Sequence, residues 1–230
     1  MAYDQRVTSG TSKPKRRLNR DDWIDAALEA IERGGLAAVS VEPLAARLGV
    51  TKGSFYSHFD SRDELIEAAL ENWERGRGDT IQRFATIEDP AERLRQMLLE
   101  AVTFSQSGRV SVHMVLLSEL GDERVRAAVA RVTESRLELL IRSYRELGFS
   151  PQQAGHRARM AYALYRGLLQ MAREAPERRL GDREIGRFLA EVNSALVGPG
   201  DPARIRPDSS ATDQDGRARR RHPRPRAPER

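Results

Sequence analysis

The chain reads as all-α, a small three-helix unit followed by a larger helical body, about nine helices in total. Three observations predict this. Apolar residues recur at helical rather than alternating spacing from Trp23 to Leu196. Caps and prolines mark helix starts, and glycines mark the breaks between them. Only residues 110–117 (VSVHMVLL) could pass for a buried strand. A lone strand has nothing to pair with, so this run too is read as a buried helix.

Taken in order, Trp23, Ala27 and Ile31 with Ile24 and Leu28 form the first apolar face, ended by Gly34-Gly35. Two short helices follow between Ser40 and Phe59. Leu65, Ile66, Ala69, Leu70 and Trp73 form the next long face, entered through Ser61-Arg-Asp-Glu64. Asp89-Pro-Ala-Glu92 opens a helix carrying Leu94, Met97, Leu98, Ala101 and Phe104. Beyond the 110–117 run come Val125, Val129, Val132, Leu139 and Leu140, then Gly148. Ser150-Pro-Gln-Gln153 opens a long helix over residues 151–173, and Gly181 precedes the last one, over 182–197. A capping residue three positions before Glu or Gln satisfies free N–H groups reciprocally, and proline is tolerated at the first helical position.

Composition narrows the possible functions. The 230 residues are 39% hydrophobic and 32% charged, and no stretch approaches the ~18 apolar residues of a membrane span. With no cysteine there is neither a disulfide framework nor a thiolate site. The first twenty residues lack the apolar segment of a secretory leader, so the expected location is cytoplasmic. The net charge of +5 is uneven: residues 1–20 hold six basic groups and one acid, residues 201–230 nine and five. The body between them is therefore acidic, and the basic ends (residues 1–18 as an arm, 199–230 as a Pro/Arg-rich tail) suit a polyanion. Both ends are expected to be disordered.

The informative stretch runs from Ser40 to Phe59. Ser40 caps a short helix with Val41, Leu44, Ala45 and Leu48 on its apolar side, and Pro43 sits in the first turn where no N–H bond is lost. Gly49 takes the left-handed ending, Val50 plugs the turn and Thr51 caps a second helix. This is a helix-turn-helix, whose second helix enters the DNA major groove. At about 100° per residue, Phe55 and Phe59 face inward and Gly53 and Ser57 point away. Lys52 and Tyr56 flank that outer surface on one side and Ser54 on the other, with His58 nearer the core. A glycine at the centre of an exposed face makes sense where another surface approaches closely. Lys52 can reach a guanine edge or a phosphate, Thr51 and Tyr56 offer hydroxyls, and Arg62 adds a cation at the next helix start.

This segment resembles the DNA-binding domain of TetR-family (tetracycline-repressor-like) regulators over residues 18–73. The most specific part is Thr51-Lys52-Gly53-Ser54-Phe55-Tyr56-Ser57-His58-Phe59 followed by Ser61-Arg62-Asp63-Glu64-Leu65. The resemblance implies a DNA-binding domain over residues 19–66 and a helical ligand-binding and dimerisation domain over 67–198. It also implies DNA contacts from the residues matching Lys52, Gly53, Tyr56 and Ser57. The DNA-facing set expected here is Ser40, Thr51, Lys52, Gly53, Ser54, Tyr56, Ser57, His58 and Arg62. The family's usual lysine is arginine at position 62. Lys13, Lys15, Arg16, Arg17 and Arg20 form a basic arm suited to further phosphate or minor-groove contacts.

The function implied is a homodimeric repressor released from a palindromic, double-stranded operator by a small molecule. Two recognition helices across a two-fold axis supply the specificity that one short helix lacks. The dimer faces expected are Ala154, Ala158, Ala161, Tyr165, Leu168 and Leu169 on one helix and Phe188, Leu189, Val192 and Leu196 on the other, unless these bury against the protomer's own core. Pocket candidates are Met97, Phe104, His113, Met114, Leu117, Tyr144 and Tyr165, each read as a core residue before a ligand contact. The histidines are not spaced as metal ligands, and catalytic motifs are lacking, so neither enzyme activity nor a metal or cofactor is expected. Two other readings stay open: a sequence-indifferent DNA-compacting protein, and a helical ligand-binding protein or enzyme with a vestigial DNA-binding module.

Overall fold

A computed structural model describes residues 18–198; the arm and tail anticipated at the two ends lie outside the described residues. Among these residues there are nine α-helices and no strand: α1 (Arg20–Gly34), α2 (Val41–Leu48), α3 (Lys52–Tyr56), α4 (Arg62–Ala85), α5 (Pro90–Gln106), α6 (Val112–Leu116), α7 (Glu123–Glu146), α8 (Pro151–Glu174) and α9 (Asp182–Leu196). None is long and apolar enough to cross a membrane. The ambiguous 110–117 run is helical, as α6.

Local chemistry sets most boundaries. Asn19 and Asp22 form a capping box at α1, which the sequence reading missed, and Ser150 and Gln153 form the anticipated one at α8. Ser61 caps Glu64 N–H at α4, while Asp89 caps Ala91 rather than Glu92. Gly35 leaves α1 at φ 68°, with the Glu119 side chain packed where a Cβ would stand. Glu119 also accepts from the Leu36 N–H at 3.3 Å, tying the end of α1 to the α6–α7 loop.

One continuous apolar core joins α1–α4 to the middle of the chain. Trp23, Ile31, Phe55, Phe59, Leu65 and Ile66 share it with Val115 and Leu116 of α6 and with Val125, Ala128 and Val132 of α7. α4 runs unbroken across position 66, where the sequence suggested a domain boundary, so the two units share one long helix. A second cluster sits farther along, formed by Leu94, Leu140, Tyr144, Ala154 and Ala158. Buried Arg93 anchors that end. It donates to the carbonyls of Ile87 and Glu88 and to Ser143 Oγ, and pairs with Glu146 at 2.6 Å.

Candidate nucleic-acid interface

The turn between α2 and α3 forms as its residues dictate. Gly49 sits at φ 70°, ψ 31°, its N–H bonding Ala46 O, while Val50 N–H reaches back to Ala45 O at 3.0 Å. This pair of bonds is the Schellman ending that needs a left-handed residue. Val50 and Leu48 then pack on the core. Below α3, Phe55 meets Trp23 edge-on at 5.3 Å and stacks on Phe59 at 5.6 Å. Both phenylalanines are fully buried, which fixes the rotation of α3 and turns its other side outward.

That outer side carries exposed Thr51, Lys52, Gly53, Tyr56 and Ser57, with Ser54 and His58 half-buried at its edge. A Cβ built on Gly53 meets only Thr51 Oγ1 at 3.7 Å. Nothing inside the protein therefore requires glycine there. α3 is shorter than the sequence suggested: it ends at Tyr56, and Ser57, at the cap position, donates to Ser54 O at 2.7 Å. Ser40 and Thr51 occupy their N-cap positions but make no capping side-chain bond, so the capping roles expected of both hydroxyls are corrected. Thr51 Oγ is left exposed on the outer face.

Three charged groups behave differently from the sequence expectation. Lys52 Nζ lies 2.5 Å from Glu42 Oε1 of α2. That bond draws the Glu42 carboxyl below its ordinary range and raises the Lys52 ammonium. Arg62, expected as a cation for phosphate, donates through Nε to Val39 O and through Nη2 to Leu36 O, both at 2.6 Å. It clamps the loop before α2 onto α4, adding a second donor to the Leu36 carbonyl, which already accepts from Val39 N–H at 3.1 Å. Arg20, expected in the basic arm, is also fixed within the fold. It lies 4.2 Å over the Phe59 ring, donates to His58 O at 2.7 Å and pairs with Glu64 at 2.9 Å. Only tertiary folding brings these partners together, so no local pattern marks them.

In the helical body, α4, α5, α7, α8 and α9 enclose a cavity of about 140 Å³. Met97, Phe104, Tyr144 and Tyr165 line it as anticipated, together with Arg77, Phe84, Arg136 and Tyr162. His113, Met114 and Leu117 do not line it. Leu117 packs on the N-terminal core. His113 is buried behind the tyrosines, stacked on Trp73 at 5.8 Å, with Tyr162 Oη 3.4 Å from its Nε2. Burial first, then Arg136, Arg166 and Arg77, push its pKa down to about 3, so its imidazole is neutral at ordinary pH.

The expected dimer residues largely face inward. Ala154, Ala158, Leu168 and Leu169 are buried within the protomer, and Ala161, Tyr165, Val192 and Leu196 line the cavity. Phe188 and Leu189 are half-buried. The outward stripe of α8 instead carries Met160 and Met171, 51% and 60% exposed, with exposed Ala163 between them. Among the described residues no group of three His, Asp or Glu side chains is arranged to hold a metal ion.

Residues 24–69 match the family model of bacterial regulatory proteins, tetR family. The chain is 31% identical over 83 residues to the HTH-type transcriptional regulator BetI 1 of Chromohalobacter salexigens, covering 35% of this chain and 41% of that protein. It thus spans well under half of that relative's length. The fold is similar to that of a TetR transcriptional regulator from Legionella pneumophila (TM-score 0.63, 15% identity, 76% of this chain and 97% of the other). It is also similar to AibR solved with isovaleryl coenzyme A and operator DNA (TM-score 0.58, 19% identity, 78% and 98%). The sequence match lies over α1–α3 and the first turns of α4, so residues 24–69 form a segment of the tetR-family type, and the helical body as a whole shares the fold of those solved regulators.

Proposed function

We propose that the chain is a homodimeric transcriptional repressor that binds operator DNA through α3 and leaves it when a small molecule enters the cavity. The observation that carries this reading is the outer face of α3. A bare Gly53 with open space above it is flanked by Lys52, Tyr56 and the free hydroxyl of Thr51. Such a surface admits a groove wall at close range and lines its edges with donors for phosphates and base edges. Lys52 leaves Glu42 for DNA, an exchange between two exposed anions.

Pairing of two copies uses the outward stripe of α8, Met160, Ala163 and Met171, rather than the inward faces. A two-fold axis there sets two α3 helices a helical turn of DNA or more apart. The effector arm rests on the cavity and on the precedent of AibR, solved with both an acyl coenzyme A and operator DNA.

Coupling between the sites runs by population shift through α4 and α6. His113 bridges the cavity tyrosines to Trp73 on α4, and the N-terminus of α4 holds the helix-turn-helix loop through Arg62. A ligand that displaces Tyr162 or Tyr165 biases the stacked pair, and α4 carries the change to α3.

The test is selection of sheared genomic DNA by the purified protein, followed by sequencing. This reading predicts recovery of a palindromic motif with half-sites one helical turn or more apart. Recovery of fragments in proportion to input contradicts it and favours sequence-indifferent compaction.

A further inference from the structure

The effector cavity proposed above has charge on one side only. Arg77 of α4 and Arg136 of α7 stand in its wall, and Arg166 of α8 lies behind it, 5.9 Å over the Tyr162 ring. Each has a buried guanidinium nitrogen without a hydrogen-bond partner among the described residues: Arg77 Nε, Arg136 Nη1 and Arg166 Nε. Arg136 lies 4.7 Å over the Tyr165 ring, a contact that holds the guanidinium plane yet satisfies none of its N–H groups. Glu100, the carboxylate in the same wall, is taken by Arg83 at 2.5 Å.

Arg93 is the internal comparison. It is more deeply buried than the other three, yet two carbonyls, a hydroxyl and a carboxylate satisfy it. An arginine kept for architecture in this protein is furnished with acceptors. Arg77, Arg136 and Arg166 are not, and they crowd one another: burial and the Arg136 charge both push the Arg77 guanidinium below its ordinary value. The same three cations surround His113 and help keep it neutral, so the histidine is no acceptor of negative charge. Across the cavity the wall is apolar, with Phe84, Leu94, Met97 and Leu140. Half-buried cations that each turn an unpaired, buried N–H toward an apolar chamber are costly unless an anion joins them.

We propose that this cavity takes an organic monoanion, a carboxylate on an apolar body of roughly ten non-hydrogen atoms, with Arg77 and Arg136 pairing the carboxylate and Arg166 reinforcing their field. The size follows from the volume, since each water-sized occupant needs on the order of 10–15 Å³ measured this way. The guanidinium fork matches a carboxylate in geometry as well as charge. The apolar wall supplies affinity for the body, and the arginines select the head group. This rests on the effector reading of the cavity and names the chemical class of the effector.

Octanoate, 4-phenylbutyrate, octan-1-ol and octylamine, titrated calorimetrically into the full chain without DNA, test it. Octanoate is expected to bind at least about tenfold more tightly than octan-1-ol, the size of one charge-assisted pairing, and octylamine least. The double variant Arg77→Gln with Arg136→Gln should bring octanoate and octan-1-ol to within about twofold and strengthen octylamine, since the two cations that repel it are gone. Gain of amine binding is a readout that a merely unfolded variant does not produce. Equal binding of acid and alcohol by the unaltered chain overturns the anion assignment, as does an acid preference that survives in the variant. So does failure of both acids to bind below about 10 mM, a limit set by the weakest useful pairing. DNA binding enters none of these outcomes, so a failure here leaves the operator reading standing, and failure of DNA selection leaves this one standing.

Discussion

The imidazole of His113 stacks on the indole of Trp73, ring centroids 5.8 Å apart and planes within 14° of parallel. Trp73 belongs to the core that holds the helix-turn-helix, while His113 also lies 6.3 Å from Tyr165 in the cavity wall. The pair therefore joins the shared core to the cavity wall through side chains. The folded protein keeps His113 neutral down to about pH 3, whereas the unfolded chain protonates it near its ordinary value of about 6.5. Between those limits the unfolded state holds the extra proton, so stability falls as pH falls. Denaturant titrations from pH 6 to pH 4 should show His113→Phe losing less stability than the unaltered chain, by up to about 1.4 kcal/mol per pH unit. The two should run parallel above pH 7. Identical slopes below pH 6 would mean that the histidine is hydrated or charged in the folded state.

Gly53 separates DNA binding from stability. Helix propensity alone makes Gly53→Ala neutral or more stable by up to about 1 kcal/mol, since its Cβ meets nothing closer than 3.7 Å. DNA affinity should nevertheless drop about tenfold or more, because the methyl holds the groove away. Thermal melts and anisotropy on the same preparation check both signs. Unchanged DNA affinity would remove Gly53 from the interface.

Glu42 restrains Lys52 in the free protein. Glu42→Gln should raise affinity for any duplex several-fold, as one anion leaves the binding face and one cation is released. Lys52→Ala should lower affinity and reduce the salt slope by about one if the ammonium meets a phosphate, or relax one base position if it reads a guanine. Anisotropy against salt concentration distinguishes these. An unchanged Glu42→Gln variant would place the pair outside the footprint.

Arg62 holds the loop that leads into α2. Arg62→Ala leaves the Leu36 and Val39 carbonyls without their shared donor and should cost about 2 kcal/mol of stability. Arg62→Lys, one point charge in place of a planar fork, should recover only part of this. Full recovery by lysine would restore the phosphate-contact role expected from sequence.

Met160 and Met171 test the pairing surface. Placing Glu at both should turn a dimer into a 25.9 kDa monomer by sedimentation, with folding intact, since both side chains are more than half exposed. A persistent dimer would move the interface elsewhere.

Much of the fold was legible because its causes are local. Gly49, the four-residue spacing of Phe55 and Phe59, and the Ser150–Gln153 box are each patterns within six residues of chain, and all formed as read. The site was less so. Arg20, Arg62 and the Glu42–Lys52 pair are set by partners on other elements, and 36 arginines in one chain hide the few that matter. A surface arginine, the Arg62 clamp and the unsatisfied Arg77 look alike in a helical pattern; only burial and the supply of acceptors tell them apart. The α8 face shows the same limit. Ala154 and Ala158 fall on the stripe that the protomer itself buries, and the exposed methionines sit on the side that a hydropathy pattern assigns to solvent.

The most direct test of the central claim, that α3 reads a specific sequence, is fluorescence anisotropy at about 0.15 M salt. The palindrome recovered from genomic selection is compared with a shuffled duplex of equal composition. The account predicts a preference of about a thousandfold or more for the palindrome. Equal affinity for the two duplexes would contradict it.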